Sequence, residues 1–189
     1  GLSRNRHVSC AESEFAAAVL ALRAPAGVSL SVRLLEEESR TLQVSRGVLQ
    51  PLCSIIDAGA MVTAWLPGGT GYCATADLRA EGLQAAADRA LVWARASARS
   101  GFFDGVQMPR PEASGLRREA PTLEPLPPDD DLVALLHDEA TALRRDARIV
   151  DWIATLRITR SRQRLFFDAR DLASQDFEYL EPNLEATAC

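Results

Sequence analysis

The stretch that most constrains the fold is "AWLPGGTGYCATADLRAEGLQAAADRALVWARAS", Ala64 to Ser97. Pro-Gly-Gly favours a tight reversal, because glycine tolerates positive φ and proline presets the turn. The apolar run "AMVTAWL" before it reads as a strand, and "TGYCAT" after it reads as a short returning strand. Leu83, Ala87, Ala90, Leu91 and Ala94 then share one face of a helix expected at about 80–99. Asp77 or Thr75 is placed to cap that helix. A phosphate loop would need glycines directly between a strand and a helix opened by Lys-Ser/Thr. Here a strand intervenes and no Lys follows. Gly69, Gly71 and Ala74 match a loose G-x-G-x-x-A, but no helix starts at that turn. The sequence therefore reads as a hairpin whose glycines shape backbone.

The flanking pattern extends this unit. Ser9 and Glu12 fit the S-x-x-E capping box, and Phe15, Val19 and Leu22 follow at helical spacing. Pro25 and Gly27 end that helix, expected at about 10–23. Val28, Leu30, Val32 and Leu34 alternate as in a half-buried strand. "EEESR" is read as a solvated turn, and Leu42 and Val44 as the hairpin partner after it. "VLQPLCSII" continues extended, with Pro51 a poor fit to a central strand.

Residues 107–128 hold six of the ten prolines, so this segment cannot continue a helix or central strand and reads as a surface connector. Asp129 to Asp131 favour a helix start through the macrodipole, and Leu132, Leu136, Ala140 and Leu143 supply its apolar stripe over about 130–146. Arg144 and Arg145 suit its C-terminal end. "DARIVDWIATLRIT" then runs extended into a basic cluster, Arg157, Arg160, Arg162 and Arg164. In an unbroken strand the last three would share the parity of Leu156 and Ile158 and point inward, which is costly for unpaired charge. A hairpin turn near 159–163 is therefore expected, with the arginines as a solvated tip. "LFFDAR" would return, and "FEYLEPNLEATAC" would form a last strand interrupted at Pro182. The fold class that follows is α+β: an antiparallel β-sheet with three packed α-helices. The expected organisation is an α+β unit at 1–106, the connector at 107–128, and a helix plus strands at 129–189 continuing the same domain.

Charge narrows the function. The net charge is −5, and all 21 basic residues are arginine. Affinity for nucleic acid comes largely from neutralising phosphates, so an acidic chain is not expected to bind DNA directly. No apolar run approaches the roughly 18 residues a membrane span needs. The N-terminus "GLSRNRHVSC" lacks the apolar core of a secretory signal. Cys10, Cys53, Cys73 and Cys189 are widely spaced with no CxxC pair, as expected of reduced thiols in a cytoplasmic protein.

No residue emerges as catalytic, cofactor-binding or metal-binding. The two histidines, His7 and His137, are far apart, and "HDEATA" offers a carboxylate but no second His. A Ser-His-Asp triad is built from distant positions and stays open on sequence, but no G-x-S-x-G elbow is present, and Ala113-Ser114-Gly115 lies in the Pro-rich connector.

In order and residues the chain resembles the N-terminal region of the TldD/PmbA family, known as modulators of DNA gyrase and as metallopeptidases. "SVRLLEEESRTLQVSRGVLQ" is similar to the family's first strand hairpin, in which an acidic turn leads to a second strand ending in Arg-Gly. Gly59, the turn Gly69-Thr70-Gly71, Thr75 with Asp77-Leu78, and Ala94-Arg95 resemble its most recognisable stretch. The family often has Gly-Val-Arg before the glycine turn; this chain has Met61-Val62-Thr63, so no role of that Arg carries over. The resemblance implies a metallopeptidase subunit acting in proteolysis of unfolded or extended peptides. It implies a homodimer or a heterodimer with a related subunit, and zinc held by an HExxxH helix in a C-terminal domain absent from this chain. This chain would then be non-catalytic by itself, contributing cavity wall, dimer contacts and peptide contacts. A non-catalytic partner subunit or a stand-alone peptide-binding module is the alternative. A nucleotide-binding protein is a third reading, which the glycine turn does not support.

Overall fold

The computed structural model describes residues 13–101 and 125–189. Helical residues 13–20 (α1) precede β1 (Ser29–Ser45), β2 (Val48–Leu49), β3 (Cys53–Leu66), β4 (Gly69–Thr75) and α2 (Ala80–Arg99). Then come α3 (Asp129–Leu143), β5 (Ile149–Phe167) and β6 (Arg170–Ala188). The strands form one six-stranded antiparallel sheet in the order β4-β3-β1-β5-β6, with β2 paired to β1. The α+β fold expected from the sequence is the fold observed. The Ser9–Glu12 capping box and residues 107–124 of the connector lie outside the described residues.

Three expected breaks are absent. "EEESR" makes no turn: β1 runs unbroken from Ser29 to Ser45. Its buried apolar residues Leu30, Val32, Leu34, Leu42 and Val44 are all even-numbered, so the apolar alternation carries through the acidic stretch. The half-exposed residues 36–41 keep their charges near water without bending the chain. No turn occurs at 159–163 either; β5 continues to Phe167 and reverses at Asp168–Ala169. Both residues have positive φ, 45° and 62°, as a two-residue hairpin matching strand twist requires. Asp168 fits by bonding: its N–H donates to Leu30 O (2.8 Å), and its Oδ1 accepts from Leu30 N–H (3.0 Å). Pro182 does not interrupt β6, which is an edge strand where a missing N–H costs no ladder bond on the open side. Pro51 does stand at a break, between β2 and β3.

The chain divides into two compact units, and the long strands contribute to both. The first comprises residues 13–35, 58–101 and 162–175 among those described. Its core gathers Phe15 and Val19 of α1, alternate residues of β1 and β3, and Leu83, Ala86, Ala87, Ala90 and Ala94 of α2. Phe166 of β5 closes it edge-to-face against Phe15, with ring centroids 5.7 Å apart. The second comprises residues 36–57, 125–161 and 176–189. Its core joins Leu42 and Val44 of β1 to Leu132, Leu136 and Ala140 of α3 and to Ala154, Leu156 and Ile158 of β5.

Candidate functional site

The glycine hairpin is the first candidate. β3 and β4 pair antiparallel from Ala60↔Thr75 to Leu66↔Gly69, leaving Pro67-Gly68 as the turn. Gly68 has φ +74°, the conformation a proline-led type II turn needs at its second central position. Gly69 and Gly71 have a different task. A Cβ on Gly69 would come within 2.4 Å of Ala94 O; one on Gly71 would come within 2.3 Å of Ala94 N and 2.4 Å of Ala90 O. The α2 backbone therefore fills the space over these glycines, opposite the small side chains Ala90, Ala94 and Ala98. That closeness leaves no room for a phosphate at Gly69 or Gly71. Thr70 turns inward and donates its Oγ1–H to Ala64 O (3.3 Å). The glycines set a strand-to-helix distance that any side chain would increase.

The start of α2 corrects a detail. Neither Asp77 nor Thr75 caps it; Arg79 holds the N-cap position without a side-chain capping bond. Asp77 instead closes a local turn. Its N–H donates to Thr75 Oγ1 (3.0 Å), and its carboxylate accepts from Arg79 N–H (3.1 Å), Nε (2.8 Å) and Nη2 (2.7 Å). The bonds from the Arg79 guanidinium and then its backbone N–H lower the Asp77 pKa to about 2. This is structural bracing at a helix start.

The arginine strand is the second candidate. With β5 unbroken, the buried positions shift after Ile158 to Thr159 and Ser161, which leaves Arg160 exposed, while the covered Arg164 is paired. Arg160 Nε donates to Glu178 Oε1 (2.5 Å), whose side chain is only 9% exposed. Arg164 Nη2 donates to Asp171 Oδ2 (2.6 Å), and its guanidinium carbon lies 5.0 Å from the Phe166 ring centroid. Arg164 is therefore largely covered, its side chain 16% exposed, instead of forming a solvated tip. Arg157 is exposed. Ser39 Oγ and Thr159 Oγ1 share a hydrogen bond (3.3 Å) along the same strands. Arg160, Arg164, Ser39 and Thr159 are thus each engaged with a neighbouring side chain.

Metal and acid–base chemistry find no footing among the described residues. His137 is half-buried on α3 with no second histidine near it, and no group of three His, Cys, Asp or Glu side chains converges to hold a metal ion. The described residues thus do not fit a zinc site. His7 and Cys10 lie outside them. Cys53, Cys73 and Cys189 are free thiols. A cavity of about 180 Å³ in the first unit is lined by Val19, Leu30, Val32 and Phe166, and its one carboxylate, Asp168, is already bonded to Leu30. No described helix is long and apolar enough to cross a membrane.

What sequence reading missed is an exposed apolar surface in the second unit. β4 pairs with β3 from Ala60 onward. Residues 53–57 are exposed throughout, Ile55 at 56% and Ile56 at 78%. Val48, Leu49, Leu52, Val150, Tyr179, Leu180 and Leu184 are exposed as well. One signal was available: Ile55-Ile56 breaks alternation, so one of the two must leave any one-sided core.

Fold and hairpin together define a class. Residues 30–94 match the model of the PmbA/TldA metallopeptidase domain 1. The match covers β1, the glycine hairpin and α2 through Ala94, the segment whose close packing is described above. No curated protein matches the chain in sequence. Among solved structures, a candidate modulator of a DNA gyrase from Thermotoga maritima is similar at TM-score 0.53 and 14% identity, covering 93% of this chain and 42% of that one. A second candidate gyrase modulator, from Bacteroides thetaiotaomicron, is similar at TM-score 0.51 and 14% identity, covering 90% and 37%. TldE from Thermococcus kodakarensis is similar at TM-score 0.50 and 10% identity, covering 93% and 39%. At these identities the likeness is one of fold. The chain spans about two fifths of the length of these structures.

Proposed function

We propose that this chain is the N-terminal, non-catalytic portion of a TldD/PmbA-type zinc metallopeptidase subunit that acts on unfolded or extended peptides in the cytoplasm. The match of residues 30–94 to the family's first domain carries the reading. Zinc belongs to a C-terminal domain with an HExxxH helix, since the described residues here do not fit it. This portion contributes cavity wall, contacts to a like or related subunit, and peptide contacts. The exposed Ile55 and Ile56 of β3 support the peptide contacts, because a strand can hold an extended peptide alongside it. The same surface favours the second reading, a non-catalytic partner or a stand-alone binding module.

Zinc analysis and hydrolysis of an unfolded casein substrate test the proposal. The chain alone is expected to hold no stoichiometric zinc and to cleave nothing. A polypeptide joining it to an HExxxH domain is expected to do both. Stoichiometric zinc with turnover in the chain alone would falsify the assignment. Casein binding by the chain alone, with no gain on adding that domain, would favour the stand-alone module.

A further inference from the structure

The outer face of α2 carries a cluster that the metallopeptidase reading does not use. Val92 and Trp93 are exposed, at 63% and 64%. Scattered exposed apolar residues are ordinary, but these two sit among three arginines. Arg89, Val92, Ala96 and Arg99 fall at i, i+3, i+7 and i+10, a single stripe along the helix. Trp93 flanks that stripe on the β4 side, where its Cβ would be 2.6 Å from a Cβ on Gly71. Arg95 flanks it on the other side.

Arg23, Arg33, Arg144, Arg145, Arg157 and Arg170 lack a carboxylate partner among the described residues, as do the three arginines here; what this face adds is an apolar pair lying between them. Elsewhere Arg40 pairs with Asp129, Arg46 with Asp151, Arg79 with Asp77, Arg148 with Asp146, Arg160 with Glu178 and Arg164 with Asp171. Acidic residues outnumber basic ones in the chain, 26 to 21. Yet Arg89, Arg95 and Arg99 have no carboxylate partner among the described residues, and all three are exposed. Trp and Arg are the residue types that dominate binding hot spots.

We infer that this face docks an acidic protein segment, one whose Asp or Glu side chains flank a bulky apolar residue seated against Val92 and Trp93. Charge complementarity selects the partner: the three free guanidinium groups match carboxylates in number and reach. Nucleic acid is disfavoured because the chain as a whole repels a polyanion, and three arginines release few counterions. The proposal stands apart from the metallopeptidase reading and survives its failure.

Fluorescence anisotropy with the full 189-residue chain tests it. The probe is a labelled amphipathic helical peptide of leucine and glutamate; its control replaces every glutamate with lysine. The acidic peptide is expected to bind, with affinity falling as salt rises, and the lysine peptide is not. Trp93→Ala is expected to weaken binding roughly 30-fold, the scale of a hot-spot loss. The double variant Arg95→Glu with Arg99→Glu is expected to reverse the preference and take the lysine peptide, a gain that misfolding cannot mimic. Equal binding of both peptides, no binding of either, or displacement by duplex DNA would overturn the proposal. So would dimers of the chain that dissociate with Trp93→Ala, which would give the face to a second copy.

Discussion

The two units solve the same packing problem by different means. In the first, α2 lies on the sheet at backbone contact, because Gly69 and Gly71 of β4 face Ala90, Ala94 and Ala98 and no side chain stands between. In the second, α3 packs through side chains, Leu132 and Leu136 meeting Leu42, Leu156 and Ile158. Both leave large apolar residues in water, Tyr72, Val92 and Trp93 in the first and Ile55, Ile56, Tyr179 and Leu180 in the second. Backbone contact fixes geometry but tolerates no added atom. Side-chain contact tolerates repacking, and exposed apolar residues can be covered by a partner.

The sharpest way to break this contrast is Gly71→Val. Its new atoms would collide with the α2 backbone, which cannot rotate away. A loss of about 3 kcal/mol or more is expected in urea denaturation followed by circular dichroism. A cost below 1 kcal/mol would show that the close approach is not required. Leu136→Ala probes the side-chain-packed unit and is expected to cost about 2–3 kcal/mol, toward the low end for a buried leucine because its small core can close around the void. Gly68→Ala strains only a positive-φ turn with open space around it, and about 1 kcal/mol is expected.

Smaller effects sharpen the comparison at the surface. Ile56→Thr should leave stability within about 0.5 kcal/mol, since the side chain has little cover to lose. The readout is self-association by sedimentation: if wild-type chain associates through this surface, the threonine variant will do so less. Asp77 gives the mildest effect. Its folded pKa of about 2 lies below the ordinary aspartate value of about 3.9, so its contribution is present above that value and fades as pH falls toward 2. Carbon-13 titration of the carboxyl should show the low midpoint in wild type, and Arg79→Ala should return it to the ordinary range. An unchanged midpoint would disprove the bracing. Asp146 and Asp151 shift in the same direction through Arg148 and Arg46.

The glycine hairpin and α2 were legible because their signals are local: turn residues at fixed offsets and a 3.6-residue apolar period. The long strands were less so. "EEESR" carries the composition of a turn, yet the even spacing from Leu34 to Leu42 already held the register of one continuous strand. The arginines of β5 were read as forcing a bend because their partners, Glu178 and Asp171, lie on the next strand and no local window contains both. The candidate site was legible chiefly in what the sequence could not assemble. The wide separation of the two histidines was plain from the residues alone, whereas the exposure of Ile55 and Ile56 appeared only when burial was known.

By itself the sequence determined the helices α2 and α3, the glycine hairpin and the class of fold, since backbone conformation and apolar periodicity act between near neighbours. Only the tertiary structure decided where charges are tolerated, which glycines admit a helix backbone and which apolar residues stay wet. Each of those depends on what another strand or helix brings within a few ångströms, and that is a property of the assembled sheet.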